Sequence, residues 1–143
     1  MGLRRTNLKG VSDIGLTHVA VKLKSLVSKE PDESYTADFL VDTGAWQSMA
    51  PASELKKLGI QPLGTRRYEL ASGELVEYQY GAAQLSFMGE RALTEIIFGP
   101  EKTEPILGVM ALESAGYLVD PKNQKLRKLR VRPLKRRVLI SVA

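Results

Sequence analysis

The sequence is most constrained at residues 39–46, FLVDTGAW, where an apolar strand runs directly into an aspartate. A carboxylate at the end of a buried strand costs free energy unless hydrogen bonds hold it there. Gly44 lets the backbone fold tightly enough for main-chain N–H groups to point at the carboxylate of Asp42. Thr43 adds a small hydroxyl that can hydrogen-bond to a neighbouring loop. The pattern predicts a strand that delivers Asp42 to a hydrogen-bonded turn.

The same residues also fit a simpler interpretation, in which Asp42 starts an ordinary Asx turn that Thr43 and Gly44 complete. Asp38 lies four residues earlier, so strand alternation could place both carboxylates on one face, and we interpret Asp38 as a solvated strand residue. Trp46 follows the turn, where it either shapes a pocket or is simply packed. Both interpretations of Asp42 and of Trp46 stay open at the level of sequence.

The rest of the chain alternates short apolar segments with turn signals, which is typical of a mainly β domain. Period-two alternation is clear at 17–27, where Val19, Val21 and Leu23 share one face. Further strand candidates lie at 35–41, 66–81, 82–99, 105–108, 117–120 and 124–131, with the apolar run VLISVA at 138–143. Short helices are predicted at 51–58 and 109–115, with Ser48 and Ser53 serving the start of the first. We therefore predict a barrel or sandwich of about eight or more strands with one or two short helices.

Composition limits the chemistry that this chain can carry. A chain of 143 residues has the length of one domain, and the absence of cysteine excludes disulfides and thiolate metal sites. His18 is the single histidine, so a Ser/His or Cys/His system lacks partners, and we expect no metal and no cofactor. No apolar run is long enough to span a membrane, and no apolar segment follows Arg4 and Arg5 as in a signal peptide. We therefore expect a cytoplasmic protein with no membrane partner.

Several motifs in a fixed order resemble those of the retropepsin-like aspartic proteases, in particular the small stand-alone bacterial and archaeal type. FLVDTGA matches the family's catalytic turn, YELASGELVEY at 68–78 lies where the family has its flap hairpin, and PILG at 105–108 matches the apolar-apolar-Gly motif. The resemblance covers roughly residues 15–130. It implies a single-domain acid-protease barrel with an N-terminal arm at 1–14, a protease domain at 15–130 and a basic C-terminal segment at 131–143.

The resemblance also implies roles for individual residues. Asp42 takes the catalytic role, and Thr43 and Gly44 support it. The residues that it assigns to substrate binding lie after the catalytic turn, at the tip of the flap and in the PILG motif: Ala45, Ala71, Ser72, Gly73, Glu74, Ile106, Leu107 and Gly108. Gly73 is either the tip of a mobile lid or the glycine that a two-residue hairpin turn needs.

The chain contains a single Asp-Thr-Gly tripeptide, so a pair of catalytic aspartates requires two chains. We therefore expect a homodimer with one Asp42 from each subunit, acting on a peptide or protein substrate as an aspartic endopeptidase. The alternative is a non-catalytic module of the same fold that binds peptides or dimerises. VLISVA is a candidate for a strand shared between subunits, or for an inner strand of its own barrel.

The charge is unevenly distributed along the chain. The net charge is +5, yet all 16 Asp and Glu residues precede residue 121, so the positive excess lies in the C-terminal part. The basic tail at 122–137 has no aromatic residues for base stacking. We therefore do not expect nucleic-acid binding, and we interpret Leu126, Leu129, Val131 and Leu134 as parts of ordered strands with solvated basic faces.

Overall fold

A computed structural model of the chain describes residues 11–13, 18–28, 33–120, 122–123 and 125–131. This part of the chain contains ten strands and two helices. In chain order they are β1 (Val11–Asp13), β2 (His18–Lys24), β3 (Tyr35–Val41), β4 (Ser48–Pro51), α1 (Ala52–Lys57), β5 (Gly64–Glu69), β6 (Leu75–Phe87), β7 (Glu90–Gly99), β8 (Ile106–Leu107), α2 (Val109–Ser114), β9 (Tyr117–Asp120) and β10 (Lys125–Lys128). Among the described residues, no helix has the length and apolar character needed to span a membrane.

Six of the strands close into a barrel. They pair in the order β2-β3-β8-β4-β7-β6, and β6 pairs back onto β2. β5 continues the sheet beyond β6, and a separate three-stranded sheet has the order β1-β10-β9. The predicted mainly β barrel with two short helices is therefore confirmed.

The barrel interior follows from the alternation of side chains along the strands. On β2 the buried residues are Val19, Val21 and Leu23, as predicted, and their neighbour across the sheet, Phe39, is fully buried. Leu126 on β10, in the separate three-stranded sheet, is also fully buried. β10 ends at Lys128, so the interpretation of Leu129 and Val131 as strand residues is wrong, and Val131 is exposed. Burial of apolar surface at about 25 cal/mol per Å² is the main favourable term that holds such a barrel together.

Helix α1 forms where it was predicted but is one residue shorter at each end, with Pro51 at its N-cap and Leu58 at its C-cap, and Gly59 follows with φ +76°. Ser48 and Ser53 were predicted to serve the start of α1. This prediction is wrong, because no side-chain hydrogen bond caps the helix. Ser48 lies in β4, and Ser53 donates from its N–H and hydroxyl to the carboxylate of Glu101. One N–H of the first turn of α1 is thus satisfied by a carboxylate from a distant loop.

Two further strands differ from those expected. β4 was not predicted, because its four residues show no alternation: Ser48, Ala50 and Pro51 are all buried. β6 runs unbroken through Gly81, where two separate strands were expected. A Cβ at Gly81 would lie 2.9 Å from the carbonyl oxygen of Gln61, so a close approach of the backbone explains this glycine.

β5 and the first half of β6 form the predicted hairpin, in register from Gly64–Tyr80 to Glu69–Leu75. Its turn is wider than the two-residue turn considered for Gly73. The N–H of Leu70 donates to the carbonyl of Glu74 at 2.8 Å, and the N–H of Gly73 donates to the carbonyl of Leu70 at 2.8 Å. Gly73 has φ +87°, which a residue with a Cβ rarely adopts.

The predicted segments at the ends of the chain are described only in part. Residues 11–13 of the expected N-terminal arm form β1, which pairs with β10. The remainder of that arm, Leu134 and the VLISVA segment lie outside the described residues.

Candidate active site

The turn after β3 holds Asp42 in the manner that its sequence predicts. The N–H of Asp42 donates to the carbonyl of Leu107 at 3.0 Å, which continues the parallel pairing of β3 with β8. The N–H of Gly44 donates to Asp42 Oδ1 at 2.9 Å, and the N–H of Ala45 donates to the Asp42 carbonyl at 3.1 Å. The carboxylate is therefore fixed by its own turn, in a geometry that an Asx turn and a catalytic turn share.

The segment from Gly108 into α2 crosses directly beneath this turn. The N–H groups of Val109 and Met110 donate to the carbonyls of Ala45 and Trp46, both at 2.9 Å. The N–H of Gly108 donates to the Ser48 hydroxyl at 3.0 Å in a buried site. These three bonds tie both ends of residues 45–48 to one rigid support, so the position of the turn depends on β8 and α2.

Only glycine fits at residue 108. A Cβ there would lie 2.6 Å from the Gln47 carbonyl oxygen and 2.8 Å from the Trp46 carbonyl oxygen. Its backbone angles, φ −95° and ψ 176°, are open to any residue. The requirement for glycine is therefore steric, because two backbone segments cross at this point.

A half-buried wall lies beside the turn. Leu40 is directly opposite His18 on β2 and Ile106 on β8, and paired residues of a sheet project from the same face. Asp42 comes two residues after Leu40, so the alternation of side chains along a strand places it on this face as well. His18 Nε2 contacts Glu104 Oε1 at 2.5 Å, so a polar pair borders the apolar part of the wall. His18 is thus a half-buried strand residue.

The structure separates the predicted site residues into three groups. Asp42, Thr43 and Ala45 are half-buried in the turn and Gly44 is exposed there. Ile106 is half-buried in the wall, whereas Leu107 is fully buried in the core and Gly108 is buried beneath the turn, where both contact protein rather than solvent. The members of the third group are exposed at the hairpin tip: Ala71, Ser72, Gly73 and Glu74.

Four residues that sequence reasoning missed connect the turn to the hairpin. We call Gln47, Arg66, Tyr68 and Glu95 the Gln47 cluster. The Tyr68 hydroxyl donates to Gln47 Oε1 at 2.7 Å, and Gln47 Nε2 donates to Glu95 Oε1 at 2.5 Å. Arg66 donates from Nη1 to the same Glu95 oxygen, and its guanidinium carbon lies 3.8 Å from the ring centre of Tyr80. No local signal marks these residues, because their partners are far apart in the chain.

The electrostatics of the Gln47 cluster are consistent with these roles. Hydrogen bonding by Arg66 holds the pKa of Glu95 below its ordinary value, although partial burial acts in the opposite direction. Burial raises the pKa of Tyr68 above its ordinary value, against a lowering effect of Arg66. Glu95 is therefore an ionised acceptor at neutral pH, and Tyr68 keeps the proton that it donates to Gln47.

Two further features define what surrounds the turn. Trp46 is 58% exposed, so of its two interpretations the one in which it is simply packed within this chain is wrong. Asp38 is exposed on β3, as expected for a solvated residue.

Among the described residues, no group of three or more His, Asp or Glu side chains is arranged to hold a metal ion.

A closed barrel that carries an Asp-Thr-Gly turn, supported from beneath by an apolar-Leu-Gly segment, defines a domain of the acid-protease class. Residues 32–111 match the sequence model of the family described as aspartyl protease, and the chain belongs to this family. The matched range contains the turn, the hairpin and β8. Comparison with curated proteins gives no match. Family membership supports a hydrolase of the aspartic type.

Proposed function

We propose that this protein is an aspartic endopeptidase that works as a symmetric homodimer. The observation that carries the proposal is the hydrogen-bonded Asp42 turn in a chain of the aspartyl protease family. Because the chain has one Asp-Thr-Gly, a pair of carboxylates requires a second copy, with the two Asp42 side chains meeting at the two-fold axis.

Two carboxylates at that distance share one proton, since both cannot be ionised at low cost. The ionised Asp42 accepts a proton from a water molecule, whose oxygen attacks the carbon of the scissile carbonyl. The protonated Asp42 of the other subunit donates to the carbonyl oxygen as negative charge develops there. The tetrahedral intermediate then loses the amine, which leaves with a proton from the dyad. Water is thus added across the C–N bond without a covalent intermediate.

The substrate in this proposal is an extended peptide bound along the cleft as an added strand. The wall of Leu40 and Ile106 provides apolar surface next to Asp42, and the hairpin with Ala71, Ser72, Gly73 and Glu74 at its tip acts as the flap. Thr43 and Gly44 support the carboxylate. Leu107 and Gly108 act through the position of the turn.

The test compares wild type with Asp42→Asn on a diverse peptide mixture, from acidic to neutral pH. Asp38→Asn is the matched control, because Asp38 is an exposed aspartate on the same strand. We expect cleavage by wild type and Asp38→Asn, and none by Asp42→Asn. Equal cleavage by Asp42→Asn would contradict the proposal.

A mixing experiment tests the shared dyad itself. Wild-type and Asp42→Asn subunits are combined under conditions of exchange, and the oligomeric state is followed by analytical ultracentrifugation. If each site needs two Asp42 residues, activity falls with the square of the wild-type fraction. A linear fall would show that one subunit suffices. Dimers that bind peptides without cleaving them, wild type included, would favour the non-catalytic module.

A further inference from the structure

Side chains join the hairpin of β5 and β6 to the segment after the catalytic turn. Tyr68 is on β5, the outermost strand of the sheet, and its hydroxyl reaches Gln47, five residues after Asp42. Gln47 is only 7% exposed, and both ends of its amide are used, one by Tyr68 and the other by Glu95. A short chain of hydrogen bonds therefore runs from the hairpin to the turn.

The same cluster ties the hairpin to the barrel wall. Arg66, two residues before Tyr68 on β5, pairs with Glu95 on β7. Glu95 thus accepts from the hairpin through Arg66 and from the turn segment through Gln47. Because Gln47 Nε2 must donate to Glu95, the amide has one orientation, and Oε1 is left to accept from Tyr68.

We propose that Gln47 and Tyr68 are positioning residues, which hold the hairpin at a fixed place relative to Asp42 so that it can cover a bound peptide. This inference rests on the proposed function. An isolated two-stranded hairpin is marginally stable in water, so a hairpin released from the cluster would open as well as move. The Gln47 cluster therefore sets both the order of the hairpin and its distance from the reacting atoms.

The first test is Tyr68→Phe, which removes only the hydroxyl that donates to Gln47. Tyr78→Phe is the matched control, because Tyr78 lies on the other strand of the hairpin with its ring centre 6.0 Å from that of Tyr68. Loss of one ordinary hydrogen bond changes a local equilibrium about fivefold. We expect amide hydrogen exchange of β5 to be about fivefold faster in Tyr68→Phe and unchanged in Tyr78→Phe.

The kinetic arm uses a peptide that wild type cleaves. In Tyr68→Phe we expect KM to rise by a similar factor while kcat stays within about twofold, since the turn that holds Asp42 keeps its own bonds. Faster exchange with unchanged KM would mean that the cluster has a structural role only, and would overturn the proposal. Equal exchange in the Tyr68→Phe and Tyr78→Phe variants would overturn it as well.

The second test, Gln47→Glu, gives a pH signature that a general loss of packing would not. The titratable groups that face residue 47 among the described residues are Glu95 from β7 and Arg66 and Tyr68 from β5. A protonated Glu at 47 can donate to Glu95 and accept from Tyr68, as Gln47 does. An ionised one would face the Glu95 carboxylate.

We therefore expect hairpin exchange in the Gln47→Glu variant, corrected for intrinsic rates, to match wild type at acidic pH and to become faster as pH rises. If exchange in the variant exceeds the wild-type rate by the same factor at every pH, or equals it at every pH, the proposal is contradicted. The exchange measurements need no turnover. If wild type cleaves no peptide, the proposed function is wrong, but the exchange data still show whether the Gln47 cluster holds the hairpin in place.

Discussion

Replacing Gly108 by alanine is the perturbation whose effect the structure defines most directly. The new Cβ would lie 2.6 Å from the Gln47 carbonyl oxygen, 2.7 Å from its carbonyl carbon and 2.8 Å from the Trp46 carbonyl oxygen. An ordinary contact begins at 3.4 Å, so the crossing backbones must separate by about 0.8 Å. All three contacts are to backbone, so no side-chain rotation relieves the overlap.

Gly99→Ala is a matched control. Its Cβ would also come within 2.6 Å of an atom, but that atom is Cγ of Met49, a flexible side chain that can move. Both substitutions reduce the entropy of the unfolded chain equally, so that contribution cancels in the comparison. We expect the free energy of unfolding to fall by about 3 kcal/mol or more for Gly108→Ala and by about 1 kcal/mol for Gly99→Ala.

The assay is urea unfolding followed by circular dichroism, with the midpoint and slope compared between variants. A displacement of this size at the turn should also lower turnover on the order of 100-fold in any Gly108→Ala protein that still folds. If Gly108→Ala is no less stable than Gly99→Ala, the backbone of residues 46 and 47 does not lie across residue 108 as described, and the steric reasoning is refuted.

Two further predictions concern the surroundings of the turn. Ser48→Ala leaves the buried N–H of Gly108 without its acceptor, so we expect a loss of about 1–3 kcal/mol in the free energy of unfolding, measured by urea denaturation; an unchanged midpoint would contradict this. Arg66 lowers the pKa of Glu95, so their ion pair stabilises the fold fully at pH values above the ordinary glutamate pKa of about 4.3. That stabilisation is lost as pH falls through the lower pKa of the folded state. Unfolding of wild type and Glu95→Gln should therefore differ at neutral pH and converge at acidic pH, and a difference that is constant with pH would count against the ion pair.

Local chemistry predicted much of the barrel. The alternation of Val19, Val21 and Leu23, the stop of α1 at Gly59 and the bend at Gly73 all follow from properties of single residues and their close neighbours. Strand β4 did not follow, because its residues are buried on both faces and its pairing partners, β7 and β8, come much later in the chain. A four-residue buried segment has no periodicity of its own.

The candidate site divides in the same way. The turn at Asp42 was predicted from residue types, and the part played by residues 105–108 was implied by the resemblance to the family. The hydroxyl of Ser48 beneath the turn was not, since a serine before a proline and a short helix has an obvious local use at the helix start. Gln47, Arg66, Tyr68 and Glu95 carry no motif at all, and their contacts span 21 to 48 residues of sequence.

The sequence by itself determined most of the strands, the hairpin and the turn that holds Asp42, because backbone preferences and side-chain alternation act over a few residues. The tertiary structure alone decided which distant groups meet: Ser48 with Gly108, and Gln47 with Tyr68 and Glu95. These contacts exist only once the barrel closes and brings β4, β5 and β7 together. A hydrogen bond between distant residues depends on the positions of both partners, and local sequence fixes neither of them relative to the other.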